Sequence, residues 1–327
     1  MTVSPTLPTA LPPAPPPPRR GATLALLGVV LLVALIETRA ALWPQALSEA
    51  DLRAACAAVR AEFHPGDLIV LAPPWLSPLG QRELGDLMPV TMLGRADARR
   101  YARIWTIQFG HAGAGELTAD LAGLSAGFRR EFGQVTLLRY AQKPVTVTYD
   151  LTAQLLAAQV AQAAVGGAPA VASPELPCLW SGPVPTPHPQ HGPAGAFRCP
   201  SSTVERRVME IDYRPRYGVV ATLAQGQRTV LSYSGIPDAD WQGGRLALWL
   251  GLHDYHARKT AVGPAQVVVD LDHGAQRMPL TVEVAQGFVL HELPLPLAKL
   301  PTHTIRIELW AASAANHFVG LHGELRR

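Results

Sequence analysis

The stretch 245-RLALWLGLHD-254 carries the fold. Its first eight residues hold one charge, at Arg245. They follow Gly243-Gly244 and precede a polar run, which predicts a short buried strand. Comparable runs lie on both sides, at 207–213, 217–223, 229–234, 265–271, 280–284, 288–293, 304–310 and 317–325. Gln225-Gly226, Ile236-Pro237-Asp238, Gly243-Gly244 and Asp272-His273-Gly274 separate them as turn signals. Nine short strands with no long helix predict an all-β sandwich over residues 201–327.

Upstream the pattern changes. Residues 47–164 alternate between strand-like runs (68–72, 103–107, 135–140, 145–149) and helix-like runs (48–63, 79–88, 95–102, 117–131, 151–164). Ser48 is placed to cap the first helix. Alternating strands and helices predict a small doubly wound α/β domain with a parallel sheet. Any ligand there would sit beyond the strand ends, at 73–77 and 108–114. Residues 165–200 read as a Pro/Gly-rich linker between the two domains.

Residues 1–20 hold eight prolines and no acid, which predicts a disordered or polyproline-type tail. From Gly21 to Ile36 there is no charge, and Arg19-Arg20 stand just before. With a continuation to Trp43, residues 21–43 predict a single transmembrane signal-anchor, with the arginines inside and the bulk outside. A cleaved signal peptide and a buried globular helix are the competing readings. The expected location is the bacterial inner membrane, single-pass, with the C-terminal domains in the periplasm. The formal charge is +3, and without Arg19 and Arg20 it is 26 basic to 25 acidic residues, so nucleic acid is not an expected partner.

Cys178 and Cys199 flank the Pro-rich segment and are expected to be bonded in an oxidising compartment. Cys56 shares a helix face with Leu52, Val59 and Phe63 and is expected to be a buried, inert thiol. No GxSxG, HExxH or P-loop is present, and no cofactor is expected. His253, Asp254 and His256 suit metal chemistry as residue types. Strand alternation takes position 256 off the face of 253, however, and no second cluster completes the set, so no metal is expected. Asp67 before its strand reads as a turn former. Arg95-Ala96-Asp97-Ala98-Arg99-Arg100 reads as a solvated helix face laced with ion pairs, with anion binding as the alternative.

Residues 245–327 resemble the galactose-binding-like jelly roll of carbohydrate-binding modules. The resemblance rests on Leu248-Trp249-Leu250-Gly251-Leu252-His253-Asp254, Val267-Val268-Val269-Asp270-Leu271-Asp272, Ile305-Arg306-Ile307-Glu308-Leu309-Trp310 and the closing Asn316-His317-Phe318-Val319-Gly320-Leu321. It implies a jelly-roll-like sandwich and, in some members, sugar binding. Residues 45–110, with Phe63-His64-Pro65-Gly66-Asp67-Leu68-Ile69-Val70, look like the extracytoplasmic soluble domains of lipid-linked-sugar glycosyltransferases, without their catalytic bundle. The expected ligand contacts are Trp249, His253, Asp254 and Tyr255, since sugars favour an aromatic face beside planar polar groups. The leading expectation is a non-enzymatic, membrane-anchored accessory of the bacterial envelope that binds glycan or a partner protein. The alternative is an envelope hydrolase or glycosyl-transfer relative with its site at the α/β strand ends.

Overall fold

A computed structural model describes residues 29–34, 47–110, 118, 120–165, 174–184, 194–254, 263–284, 286–312 and 317–327. Residues 1–47 and 48–327 form two separate units. In the first, residues 29–34 are helical, apolar and exposed. Most of the expected anchor, 21–43, lies outside the described residues, and so does the tail 1–20. Among the described residues no helix is long and apolar enough to cross a membrane.

The second unit begins with helix α1 (Glu49–Glu62), capped as its sequence indicates by Ser48, whose Oγ accepts the Asp51 N–H at 3.3 Å. Leu52, Ala55, Cys56 and Val59 form its buried stripe. Burial, reinforced by the Glu83 charge, pushes the Cys56 thiol up to about 11, so it is inert at neutral pH. The first sheet comprises β1 (Asp67–Ala72), β2 (Arg103–Phe109), β3 (Ala126–Phe132) and β4 (Val135–Ala141), in the order β1-β2-β4-β3. Short helices α2 (Ser77–Leu84) and α3 (Val90–Leu93) connect β1 to β2. Asp67 is the turn former the sequence suggests and more. It is 2% exposed, accepts from His64 N and Trp105 Nε1, each at 3.0 Å, and pairs with Arg103 at 2.6 Å.

This sheet is not doubly wound. Only β1 and β2 run parallel, while β2–β4 and β3–β4 are antiparallel. The helix expected over 117–131 is strand β3 in its second half. Gly123 and Gly133, both at positive φ, bracket that strand, and Gly133 makes the β3–β4 hairpin turn. The helix expected over 95–102 is bends and turns, for reasons given below. The helix expected over 151–164 is a turn, a single 3-10 turn (Leu155–Ala157) and strand β6 (Gln159–Ala164). That Ala-rich run favours helix by propensity, but its backbone completes a ladder with β12 (Gln227–Pro237), and burial of Val160 and Ala163 outweighs the preference.

The remaining strands build two packed sheets. They are β5 (Val147–Asp150), β7 (Leu176–Pro177), β8 (Leu179–Val184), β9 (Ala194–Arg198), β10 (Thr203–Ile211), β11 (Arg214–Leu223), β13 (Arg245–Leu252), β14 (Ala265–Leu271), β15 (Gln276–Val282), β16 (Val289–Pro294), β17 (Thr302–Ala311) and β18 (His317–Arg326). One sheet runs β16-β13-β18-β11-β10-β9-β8, with β5 also on β18. The other runs β15-β14-β17-β12-β6-β7. A third small helix, α4 (Asp238–Trp241), follows β12. All nine strands read from the sequence are present. Leu246, Leu248, Leu250 and Leu252 of β13 and Val319, Leu321 and Leu325 of β18 face the shared core, with Tyr233, Trp241, Val267 and Ile307 opposite.

Part of the expected linker is strand: β7 continues the second sheet, while β8 and β9 form the edge of the first. Cys178 and Cys199 are bonded, as expected. Cys178 N–H donates to Val160 O of the second sheet at 2.8 Å, and Cys199 follows β9 of the first. The bridge therefore closes the β8–β9 hairpin just outside its Leu179–Arg198 pair, where the chain passes from β7 of the second sheet into β8 of the first.

Candidate functional site

Alternation along β13 and β18 puts a second set of side chains on the outer face of the first sheet. Trp249 lies there opposite His322 in register, their rings edge to face at 5.5 Å. Glu324 and Arg326 continue the row. Arg326 stacks over the Trp249 ring at 4.4 Å and donates to Glu324 at 2.7 Å. Residues 94–100 lie across this row. Gly94 O accepts from Tyr217 N, an approach so close that a Cβ on Gly94 would lie 2.6 Å from that nitrogen. Arg216 holds the carbonyl of Arg95 at 2.8 Å. Asp97 takes both guanidinium nitrogens of Arg326, at 2.8 and 3.1 Å. Arg100 donates to Glu324 at 2.9 Å, and Arg99 reaches Glu292 at 3.3 Å. The charge cluster is thus a clasp onto the sandwich rather than a solvated helix. Its partners are spread over β18, β11 and β16, with Glu324 and Arg326 buried, and a helical backbone could not present the cluster to all of them on one flat sheet.

Beneath the clasp the groups converge further. His322 Nε2 lies 2.7 Å from Glu324 Oε1, and His322 Nδ1 lies 3.1 Å from Thr152 Oγ1. Burial pushes the Glu324 carboxyl up. The His322 hydrogen bond and the charges of Arg326 and Arg100 outweigh that and hold it at about 2. Asp150, His322 and Glu324 bring donor atoms within 4.8 Å of one another, a spacing a divalent ion can use. Arg100 Nη1 already stands 2.9 Å from Glu324 and 3.7 Å from Asp150, so a dication there would meet a guanidinium.

Three cavities open around this face. One, of 680 Å³, is lined by Tyr101, Asp150, Thr152, Arg206, Tyr217 and His322 among others. The second, 320 Å³, lies across Arg95 and Ala96 from it and is lined by Arg99, Asp120, Arg214, Arg216 and Trp249. The third, 400 Å³ and shallow, lies at the β10–β11 hairpin, between Arg207, Glu210, Tyr213, Pro215 and His253.

The expected contacts fall as follows. His253 lines the shallow depression. Asp254, 8% exposed, turns back and accepts the Tyr213 N–H. Trp249 is 3% exposed and borders the 320 Å³ cavity instead, so it is not brought together with His253. Tyr255 lies outside the described residues, as do His256 and residues 111–114 of the expected strand-end site. Trp75, at the other strand end, is exposed and packs edge to face on Phe109 at 5.7 Å. None of the three cavities is lined by residues 73–77 or 108–110.

Sequence reasoning missed Tyr213. It is 67% exposed at the hairpin tip, with Asp212 and Tyr213 both at positive φ. The signal was Ile-Asp-Tyr-Arg-Pro, a turn sequence read there as the end of a strand. Thr152 and His322 were also missed, because 170 residues separate them.

No protein-family model matches the chain, and no curated protein matches it. Solved structures similar to part of it include three carbohydrate-binding modules. A family 61 module in complex with β-1,4-galactotriose is 14% identical over 39% of this chain and 90% of that one, with a TM-score of 0.26. The family 11 module of the cellulase Lic26A-Cel5E of Clostridium thermocellum is 9% identical over 41% and 86%, with a TM-score of 0.26. The CBM51-2 and INT domains of Clostridium perfringens ZmpB, in complex with GlcNAc, are 12% identical over 37% of this chain and 25% of that one, with a TM-score of 0.27. Likeness at this level carries no argument about ligand or reaction. The glycosyltransferase resemblance of residues 45–110 finds no support in these likenesses.

Proposed function

We propose that the chain binds glycan through the sandwich, at the depression beside the β10–β11 hairpin. The observation that carries this reading is Tyr213, an aromatic ring two-thirds exposed on a backbone pinned by a buried carboxylate. Pinning lowers the entropy lost when a ligand stacks on the ring. Arg207, Glu210 and His253 surround it with planar polar groups, the chemistry that orients a sugar ring on an aromatic face. In this reading His253 touches the ligand and Asp254 holds the turn. Trp249 supports the strand from beneath the clasp. On a glycan array, the full-length chain is expected to give signals above background that Tyr213→Ala removes. Signals retained by the variant would move the seat elsewhere.

The reading includes a place: an accessory of the bacterial envelope, anchored by residues 21–43 with the folded unit outside. Arg19-Arg20 before the apolar run and the Cys178–Cys199 bond support it. A C-terminal alkaline phosphatase fusion should be active in bacteria. An inactive phosphatase fusion beside an active cytoplasmic reporter would reverse the topology.

A further inference from the structure

The sugar seat leaves one polar constellation unused. Glu324 is fully buried and ionised, and a carboxylate can only accept hydrogen bonds. In its neutral form His322 donates from Nε2 to Glu324 Oε1 at 2.7 Å. Its Nδ1 lone pair is left facing Thr152 Oγ1 at 3.1 Å. The Gly323 N–H approaches the same Oγ1 at 3.4 Å, so the hydroxyl proton is free to point at Nδ1. A rigid turn holds Thr152 in place: Asp150 Oδ1 accepts from Ala153 N at 2.9 Å, and Asp150 O accepts from Gln154 N at 3.0 Å.

This is a hydroxyl, a base and an orienting carboxylate in series, the arrangement that activates a weak nucleophile. A purely structural network would end in packed protein. Here Thr152 and His322 both line the 680 Å³ cavity, whose volume suits a small organic ligand. Arg100 and Arg206 line it too, and Arg206 donates to the Ala153 carbonyl, one residue beyond Thr152. Fixed guanidinium donors are what a developing oxyanion requires.

We propose that Thr152 is the nucleophile of an esterase site in this cavity, with His322 as its general base and Glu324 as the positioning residue. Thr152 Oγ bonds to the carbonyl carbon of a carboxylic ester as its proton passes to His322 Nδ1. The tetrahedral intermediate collapses, the ester C–O bond breaks, and the leaving alkoxide takes the proton from Nδ1. Water then attacks the acyl-threonine, again giving its proton to Nδ1. The acid departs as Thr152 Oγ recovers that proton. The balance is ester plus water to acid plus alcohol, with no redox partner or metal. The site stands apart from the Tyr213 depression and does not depend on the sugar-binding reading.

The test uses the full-length chain with p-nitrophenyl acetate as substrate and a fluorophosphonate as covalent probe. Hydrolysis above the buffer rate and a phosphonyl adduct mapped to Thr152 are expected. Thr152→Val, which keeps the side-chain shape, should lower kcat/KM at least 100-fold with an unchanged melting temperature. Glu324→Gln should lower kcat while leaving KM in place, a split that simple loosening of the fold would not produce. A wild-type rate equal to buffer with no adduct overturns the proposal, and so does an unchanged rate in Thr152→Val. Should Thr152→Val fail to fold, the adduct map on the wild-type chain decides alone.

Discussion

Breaking the Cys178–Cys199 bond should loosen the sandwich by an amount its position sets. The two residues are 21 apart. The loop-closure estimate for a ring of that size gives about 3 kcal/mol at 25 °C from the restricted unfolded chain. The bridge lies just outside the Leu179–Arg198 pair of the β8–β9 hairpin, at the edge of the first sheet. For a unit of this size, about 3 kcal/mol corresponds to a fall in Tm of roughly 6–12 °C. The assay is a thermal melt of the oxidised chain, the chain in excess reductant and a Cys178→Ala, Cys199→Ala double variant. Cys56 is buried with a thiol raised to about 11, so it should neither exchange with the bridge nor react with iodoacetamide before unfolding. Melts that coincide within a degree would refute the stabilising role of the bridge. So would recovery of three free thiols from oxidised protein.

Three further perturbations have directions fixed by the structure. His303 is buried between Asp238 and Asp272, at 2.9 and 2.8 Å, and stacks on Trp241. Burial alone would pull its imidazole down, but the two carboxylate hydrogen bonds outweigh that and raise it. A raised folded-state pKa gives stability that is full below the unfolded value of ~6.5 and is lost as pH rises through the folded value. The melting-temperature gap between wild type and His303→Gln should therefore be wide at pH 5.5 and narrow at pH 9; a gap that widens with pH contradicts this. Tyr233 buries a hydroxyl in the sandwich core with no hydrogen-bond partner among the described residues, so Tyr233→Phe should raise stability by about 1 kcal/mol in urea titration, and a loss of that size would mean the hydroxyl is satisfied. Asp67→Asn leaves Arg103 uncompensated beside a buried strand and should cost about 3 kcal/mol, with a cost below 1 kcal/mol counting against the buried pair.

The sandwich was legible because its signals are local. Leu246, Leu248 and Leu250 alternate with Ala247 and Trp249, and glycine or aspartate turns punctuate the run. The first layer was less legible. Residues 151–164 are locally helical in preference, and only pairing with β12, more than sixty residues away, makes their second half a strand. The clasp was hidden for a related reason: Asp97 and Arg100 find Arg326 and Glu324 more than 220 residues along the chain. His253 and Asp254 were legible as loop chemistry, while the ring beside them was not. Tyr213 comes from another hairpin, brought there by sheet order. Strand alternation at 317–326 does place His322, Glu324 and Arg326 on one face, but nothing in the sequence puts Thr152 beside them.

The most direct measurement of the central claim is isothermal titration calorimetry of the full-length chain and of Tyr213→Ala, using the oligosaccharide with the strongest array signal. Loss of a pinned aromatic platform should cost about 2 kcal/mol, a roughly thirty-fold rise in Kd. His253→Ala should weaken binding less, and Trp75→Ala at the distant strand end should change nothing. A Kd unaltered by Tyr213→Ala would contradict the account.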